Sequence, residues 1–179
     1  KAPAPKPGTD KDKEEVDVSE VPPVVTHHTI TVDGKALKYT ATTGRLPIKR
    51  GDGKIEAEMF FVAYTLDGQE ADKRPLTFAF NGGPGSATIW LHMLAFGPRR
   101  VVTSDDTHTT AAPYGLVNND DSLLDVSDLV FIDAPGTGFS TFADDEKGPK
   151  EYFGVDPDAN AFAQFIGKFL SRYGRWNSP

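Results

Sequence analysis

Residues 76–80, Leu-Thr-Phe-Ala-Phe, form a short apolar run that ends on Asn81 and the turn Gly82-Gly83-Pro84-Gly85. A run this brief and this apolar reads as a central strand, buried on both faces. Residues 86–96 then place Ile89, Met93 and Phe96 at helical spacing, so the order is strand, glycine turn, helix. Gly97 is expected to cap that helix in the left-handed conformation, and Pro98 to stop it. Residues 128–140 repeat the pattern: an apolar strand from Leu129 to Ile132, Asp133 at its end, then a Gly-rich turn.

The flanks fill in the fold class. Residues 27–32 alternate polar and apolar, Asp33-Gly34 follows, and residues 35–44 alternate again, which predicts a β-hairpin. Residues 54–66 read as a further strand. Near the C-terminus Asp156 is expected to cap a helix with Pro157 at its first position. Ala159, Phe162, Ile166, Phe169 and Tyr173 would share the face that covers the sheet. A β-rich start followed by strand, helix, strand, helix predicts an α/β domain with a parallel core sheet over residues 26–179. Two such strands and two helices make half of a doubly wound domain, and they leave apolar edges to be paired. The expectation is therefore a fragment, or a sheet completed by a second chain. Residues 1–25, rich in Pro, Lys and acid, read as a disordered tail. Such a tail often follows a removed secretory signal, which points to a periplasmic or secreted protein.

Composition narrows the partners. A net charge of -7 argues against a nucleic-acid or anionic-membrane partner. The absence of cysteine excludes disulfides, thiolate metal ligands and a cysteine nucleophile. His27, His28, His92 and His108 form no metal-binding spacing, and no nucleotide loop of the GxGxxG or GxxxxGK[ST] kind is present, so no metal or cofactor is expected. No apolar run reaches the roughly 18 residues that a membrane-spanning helix needs.

The chemistry points to the two turns. Sites in open α/β sheets lie at the C-terminal ends of strands, where Asn81 and Asp133 are placed. The N–H groups of Gly82 and Gly83 can approach a ligand closely and stabilise a developing oxyanion. The Asn81 amide can donate to a carboxylate or carbonyl. The competing reading is a tight turn that binds nothing. Asp133 is expected to be a structural acceptor for backbone N–H groups, Ser140 a turn hydroxyl, and His92 a packing or surface residue.

The motifs "NGGPGSA", "LAFGPRRV" and "NNDDSLLDVSDLVFIDAPGTGFS" resemble, in order and register, those of the serine carboxypeptidase family (peptidase family S10) over residues 75–179. The resemblance implies an α/β-hydrolase fold, here its N-terminal half with a leading β-hairpin. It implies removal of C-terminal residues from peptides through an acyl-enzyme. It assigns Asn81 to the substrate's C-terminal carboxylate, Gly82 to its support, and the Gly83 N–H to the oxyanion hole. The partners it implies are a peptide with a free C-terminus and the remaining C-terminal part of the same protein. The family's nucleophilic serine, aspartate and histidine fall beyond Pro179, so this chain alone is expected to be inactive. Four departures stand out: Ala79 where many members have Trp, Ser86 where they have Cys, Ala95 where they have Glu, and a second motif one residue shorter. Two other readings remain: a non-catalytic carboxylate-binding module on the same fold, and a proline iminopeptidase-like hydrolase. The latter typically has His at the place of Asn81 and "DQRG" at the place of "DAPG".

Overall fold

The computed structural model describes residues 21–49, 51–82, 85–103, 115–144 and 146–179. Residues 1–20, Gly83, Pro84 and the loop that carries His108 lie outside the described residues.

Strands β1 (Val24–Val32) and β2 (Lys35–Lys49) form the expected hairpin, with Val32 opposite Lys35. Asp33 and Gly34 both take positive φ, 48° and 75°, which matches the twist of the flanking strands in a two-residue turn. β1 begins at Val24, inside the stretch that the sequence assigns to the tail. β3 (Ile55–Leu66) pairs antiparallel with β2. β4 (Leu76–Ala79) leads through the glycine turn to helix α1 (Ile89–Leu91), which continues as a π turn over His92–Phe96. β5 (Arg99–Val101) and β6 (Leu116–Asn118) form a separate ribbon. A 3-10 turn (Leu123–Asp125), β7 (Asp128–Ile132), β8 (Thr141–Phe142), α2 (Gly148–Tyr152) and α3 (Val155–Arg172) complete the order.

The main sheet runs β1-β2-β3-β7-β4, with β8 also on β3. The two strands expected to be parallel, β4 and β7, do pair parallel, but the described sheet as a whole is mixed. β3 joins β7 antiparallel. The cause is the β-rich start: its three strands do not form a separate layer but extend the same sheet, giving a mixed α/β sheet. β7 is buried at every position, as a central strand covered on both faces must be.

α3 covers one face. Phe61 of β3 meets Phe165 and Phe169 edge to face, with ring centroids 5.7 and 5.5 Å apart. Alternation along β3 sends Ala57, Met59, Phe61 and Ala63 into this layer. Burial of each such aromatic ring contributes about 1.5–3 kcal/mol. The helix departs from expectation at its start. Gly154 is the N-cap with extended backbone, so the helix begins at Val155 and Asp156 lies inside its first turn. Ala159 is exposed, and Ala161 and Phe165 take core positions beside Phe162 and Phe169. On the opposite face a second core joins Ile30, Val32 and Tyr39 of the hairpin to Leu129 and Phe131 of β7, with Leu91 of α1 against it.

The ends of β3, β4 and β7 distant from the glycine turn are tied by a buried ion cluster that motif reading does not reveal. Asp128 accepts from Arg74 Nε at 2.7 Å and the Leu66 N–H at 3.0 Å through Oδ1, and from Arg175 Nη1 at 2.6 Å through Oδ2. Arg74 also donates to the Leu124 carbonyl, and Arg175 donates to the Arg74 carbonyl at 3.1 Å. All three side chains are less than 10% exposed. Two cations share one anion here; backbone carbonyls accept from the outer nitrogens of both arginines, and the Ser178 hydroxyl accepts from Arg175 Nε at 2.7 Å.

Candidate active site

The glycine turn leaves β4 and returns through Ser86 and Ala87 to Thr88, which fixes it. Thr88 is 2% exposed. Its N–H donates to Asp133 Oδ1 at 2.8 Å, its hydroxyl donates to the Ile132 carbonyl, and its Oγ1 accepts the Asn81 N–H at 3.3 Å. One threonine thus bonds the end of β4 to the end of β7. Asp133 accepts the Phe139 N–H at 3.1 Å through its other oxygen, so its carboxylate bridges both turns. That is the structural role expected for it.

The second turn is built around the same carboxylate. Gly136 and Gly138 take positive φ, 74° and 53°, and a Cβ on Gly138 would lie 2.0 Å from Asp133 Oδ2. Only glycine allows that approach. Ser140 is a turn hydroxyl, as expected: it donates to the Asp133 carbonyl at 2.8 Å and accepts the Phe60 N–H at 2.8 Å.

The two turns and the start of α3 enclose a cleft of about 400 Å³. Asn81, Gly82, Gly85 and Ser86 line one wall; Ala134, Pro135 and Thr137 line a second. Residues 152–155 and Asp158 form the third. Asn81 is half-buried there, and its side-chain amide makes no hydrogen bond to a described residue. Asp158 is the one side chain charged at neutral pH among the described lining residues, and burial raises its carboxyl above the usual range. A larger groove of about 660 Å³ between β2 and α3 shares no lining residue with this cleft. Of the site residues expected from sequence, Asn81 and Gly82 therefore meet in one cleft, while Gly83 lies outside the described residues.

The helix behind the turn differs from expectation. After α1 the chain winds wider, and the Gly97 N–H donates to the His92 carbonyl five residues back at 3.0 Å. Gly97 is not left-handed; its φ is -62°. Glycine is required there because a Cβ would lie 2.1 Å from the His92 oxygen. The carbonyls at the end of this turn are capped from outside: Asn119 Nδ2 donates to Ala95 O at 2.6 Å and Gly97 O at 2.8 Å, and Ser122 Oγ donates to Phe96 O at 3.0 Å. Ile89 and Phe96, which the sequence sets at helical spacing, are 55% and 39% exposed. The inward residue is His92. Its ring stacks on Phe131 at 4.6 Å, and its Nε2 lies 2.6 Å from the Tyr64 hydroxyl. Burial holds the imidazole pKa down to about 4, against a smaller opposing pull from Asp133. Burial, and then Tyr39, raise the Tyr64 phenol above its ordinary value.

Sequence reasoning missed Thr88, Asn119 and the Tyr64–His92 pair. Single hydroxyls and amides carry no motif. The one available signal was a single histidine within the otherwise apolar segment 89–96.

No described helix is long and apolar enough to cross a membrane. Residues 35–178 match the sequence profile of the family described as serine carboxypeptidase. Among curated proteins, the chain is similar to the pheromone-processing carboxypeptidase KEX1 of Saccharomyces cerevisiae (strain ATCC 204508 / S288c), 30% identical over 136 residues. That alignment covers 73% of this chain and 17% of the yeast protein. It is also similar to the pheromone-processing carboxypeptidase KEX1 of Phytophthora infestans (strain T30-4), 29% identical over 144 residues, which are 80% of this chain and 21% of that protein. The chain thus spans about a fifth of the length of these relatives. A profile match over most of the chain, with these similarities, places it in a family: the chain belongs to the serine carboxypeptidases, peptidase family S10.

Proposed function

We propose that this chain supplies the N-terminal portion of a serine carboxypeptidase-like hydrolase on the α/β-hydrolase fold, exported to the periplasm or secreted. The observation that carries the reading is the position of Asn81. It stands with Gly82 at the C-terminal end of a parallel strand, lines the cleft, and is held there through Thr88. In this reading the Asn81 amide donates to the substrate's C-terminal carboxylate, and the Gly82 N–H assists. The Gly83 N–H stabilises the oxyanion formed when a serine attacks the last peptide bond. A histidine takes the serine proton and delivers it to the departing amino acid, leaving an acyl-enzyme that water then hydrolyses. Serine, histidine and aspartate come from the remainder of the protein, outside these 179 residues.

The open edge of β4 supports the fold reading. β7 is its paired neighbour among the described strands, and on the other side the Leu76 N–H donates to the Pro179 carbonyl at 3.3 Å. Continuation of that contact adds a parallel strand next to β4, where an α/β-hydrolase carries its nucleophile. The acid that many family members place at position 95 is absent, since Ala95 has only a methyl group. This keeps a non-catalytic carboxylate-binding module as the second reading. Treatment of the full-length protein with a serine-directed fluorophosphonate, alongside mass spectrometry of a peptide substrate, separates the two. Stoichiometric labelling with stepwise loss of C-terminal residues supports the hydrolase. Neither labelling nor trimming leaves the binding module.

A further inference from the structure

A continuous set of bonds joins the candidate carboxylate-binding turn to a half-buried histidine. The Asn81 N–H is held by Thr88 Oγ1 at 3.3 Å. The Thr88 carbonyl accepts the His92 N–H at 2.9 Å. The His92 imidazole is in turn fixed between the Phe131 ring and the Tyr64 hydroxyl. His92 also begins the π turn, a winding that recurs next to functional sites, and its carbonyl closes that turn against Gly97.

We propose that His92 is a positioning residue: its neutral imidazole latches α1 to the sheet and so holds Asn81 in register, and protonation in acid releases the latch and weakens carboxylate binding. This rests on the reading of Asn81 given above. The surroundings of the ring favour release. From β3, Tyr64 offers a phenol that burial keeps protonated. Tyr39 of β2 packs edge-on against Tyr64 at 5.6 Å, and Arg99 of β5 acts on Tyr39 as a cation and hydrogen-bond partner. From the end of β7, Asp133 attracts the imidazolium, but both of its oxygens already accept backbone N–H groups. Phe131 contributes a ring face. An imidazolium carries N–H on both nitrogens, so any lone pair that accepted the Tyr64 proton is lost. Burial, which holds the His92 pKa near 4, outweighs the pull of Asp133.

The test uses the full-length protein and a peptide with a free C-terminus, with kcat and KM measured from pH 7 to pH 3. The expected result is a KM that rises about tenfold per pH unit below the titration, because only the neutral fraction binds well, with kcat changing much less. In His92→Gln, which keeps a hydrogen-bonding side chain and cannot titrate, only the smaller rise caused by protonation of the substrate's own carboxylate, with pKa about 3.5, remains. Trp90, on α1, reports the same event without turnover. The emission lost on Trp90→Phe, taken as the difference between the two full-length proteins, shifts across the acid range, and the shift is absent in His92→Gln. Tyr64→Phe, which keeps the histidine and removes its partner, moves the midpoint. An acid rise in KM as large in His92→Gln as in the wild type, or a midpoint unmoved by Tyr64→Phe, overturns the latch. Absence of peptide trimming at any pH sinks the carboxypeptidase reading instead, while the Trp90 signal still decides whether His92 moves α1.

Discussion

Gly138→Ala is the sharpest structural test of how the two turns are joined. Gly138 has φ +53°, and an added Cβ would lie 2.0 Å from Asp133 Oδ2, 2.6 Å from Asp133 Cγ and 3.1 Å from the Ala87 Cβ. The left-handed backbone alone costs about 1–2 kcal/mol for a residue with a Cβ. The clash adds more, because Asp133 must move and give up at least one of its bonds to the Thr88 and Phe139 N–H groups. Hydrogen bonds to a charged group contribute about 1.5–3 kcal/mol each. The total expected loss is about 3–5 kcal/mol, and Asn81 loses its anchor at the same time. Gly34→Ala is the control: φ is +75° and nothing lies within 4 Å of the added Cβ, so only the backbone cost of about 1–2 kcal/mol applies. Urea unfolding of the two variants in the full-length protein measures the difference. Equal losses at the two sites would refute the reasoning that Asp133 bridges the turns.

Asp128→Asn leaves Arg74 and Arg175 buried beside a neutral amide and should cost about 3–5 kcal/mol, read as a lower urea midpoint with unchanged slope. Phe165→Ala empties the centre of the α3 layer, where Phe165 is fully buried, and should cost about 3–5 kcal/mol in the same assay. The His92 pKa is held at about 4, below its ordinary 6.5, so the unfolded chain takes up the proton first as the pH falls. Its contribution is therefore complete above pH 6.5 and is lost progressively down to about pH 4, a total of about 3 kcal/mol. Unfolding curves against pH should show this slope in the wild type and lose it in His92→Gln.

The parts of the fold that follow from local periodicity were legible in the sequence. The Asp33-Gly34 hairpin, β3 and β7 stand where alternation and apolar runs place them; β4 falls on the expected residues, but it lies at the edge of the described sheet and is half-buried, where the run predicted a central strand buried on both faces. The parallel pairing of β4 with β7 was legible too; the antiparallel junction of β3 with β7 was not, because no local pattern encodes which edge the first three strands meet. α1 misled for a different reason. Its 3.6-residue spacing is real in the sequence, but the contact between Gly97 and the His92 carbonyl winds the chain wider and turns His92, rather than Ile89 and Phe96, toward the sheet. At the site, Asn81 and Gly82 were legible because an amide and glycines at a strand end are a pattern. Thr88 was not, because a hydroxyl that bonds the residue seven positions earlier and a carbonyl 44 positions later leaves no trace in spacing.

The measurement that bears most directly on the account is the rate of C-terminal residue release by the full-length protein, wild type and Asn81→Ala, on two peptides that differ only at the terminus. One carries a free carboxylate, the other an amide. Loss of a hydrogen bond to a charged group, about 1.5–3 kcal/mol, predicts a fall in kcat/KM of roughly 10- to 150-fold on the free acid. Turnover of the amide, slow in both proteins, should hardly change. An equal fall on both peptides, or none on the acid, would contradict the assignment of Asn81 to the substrate carboxylate.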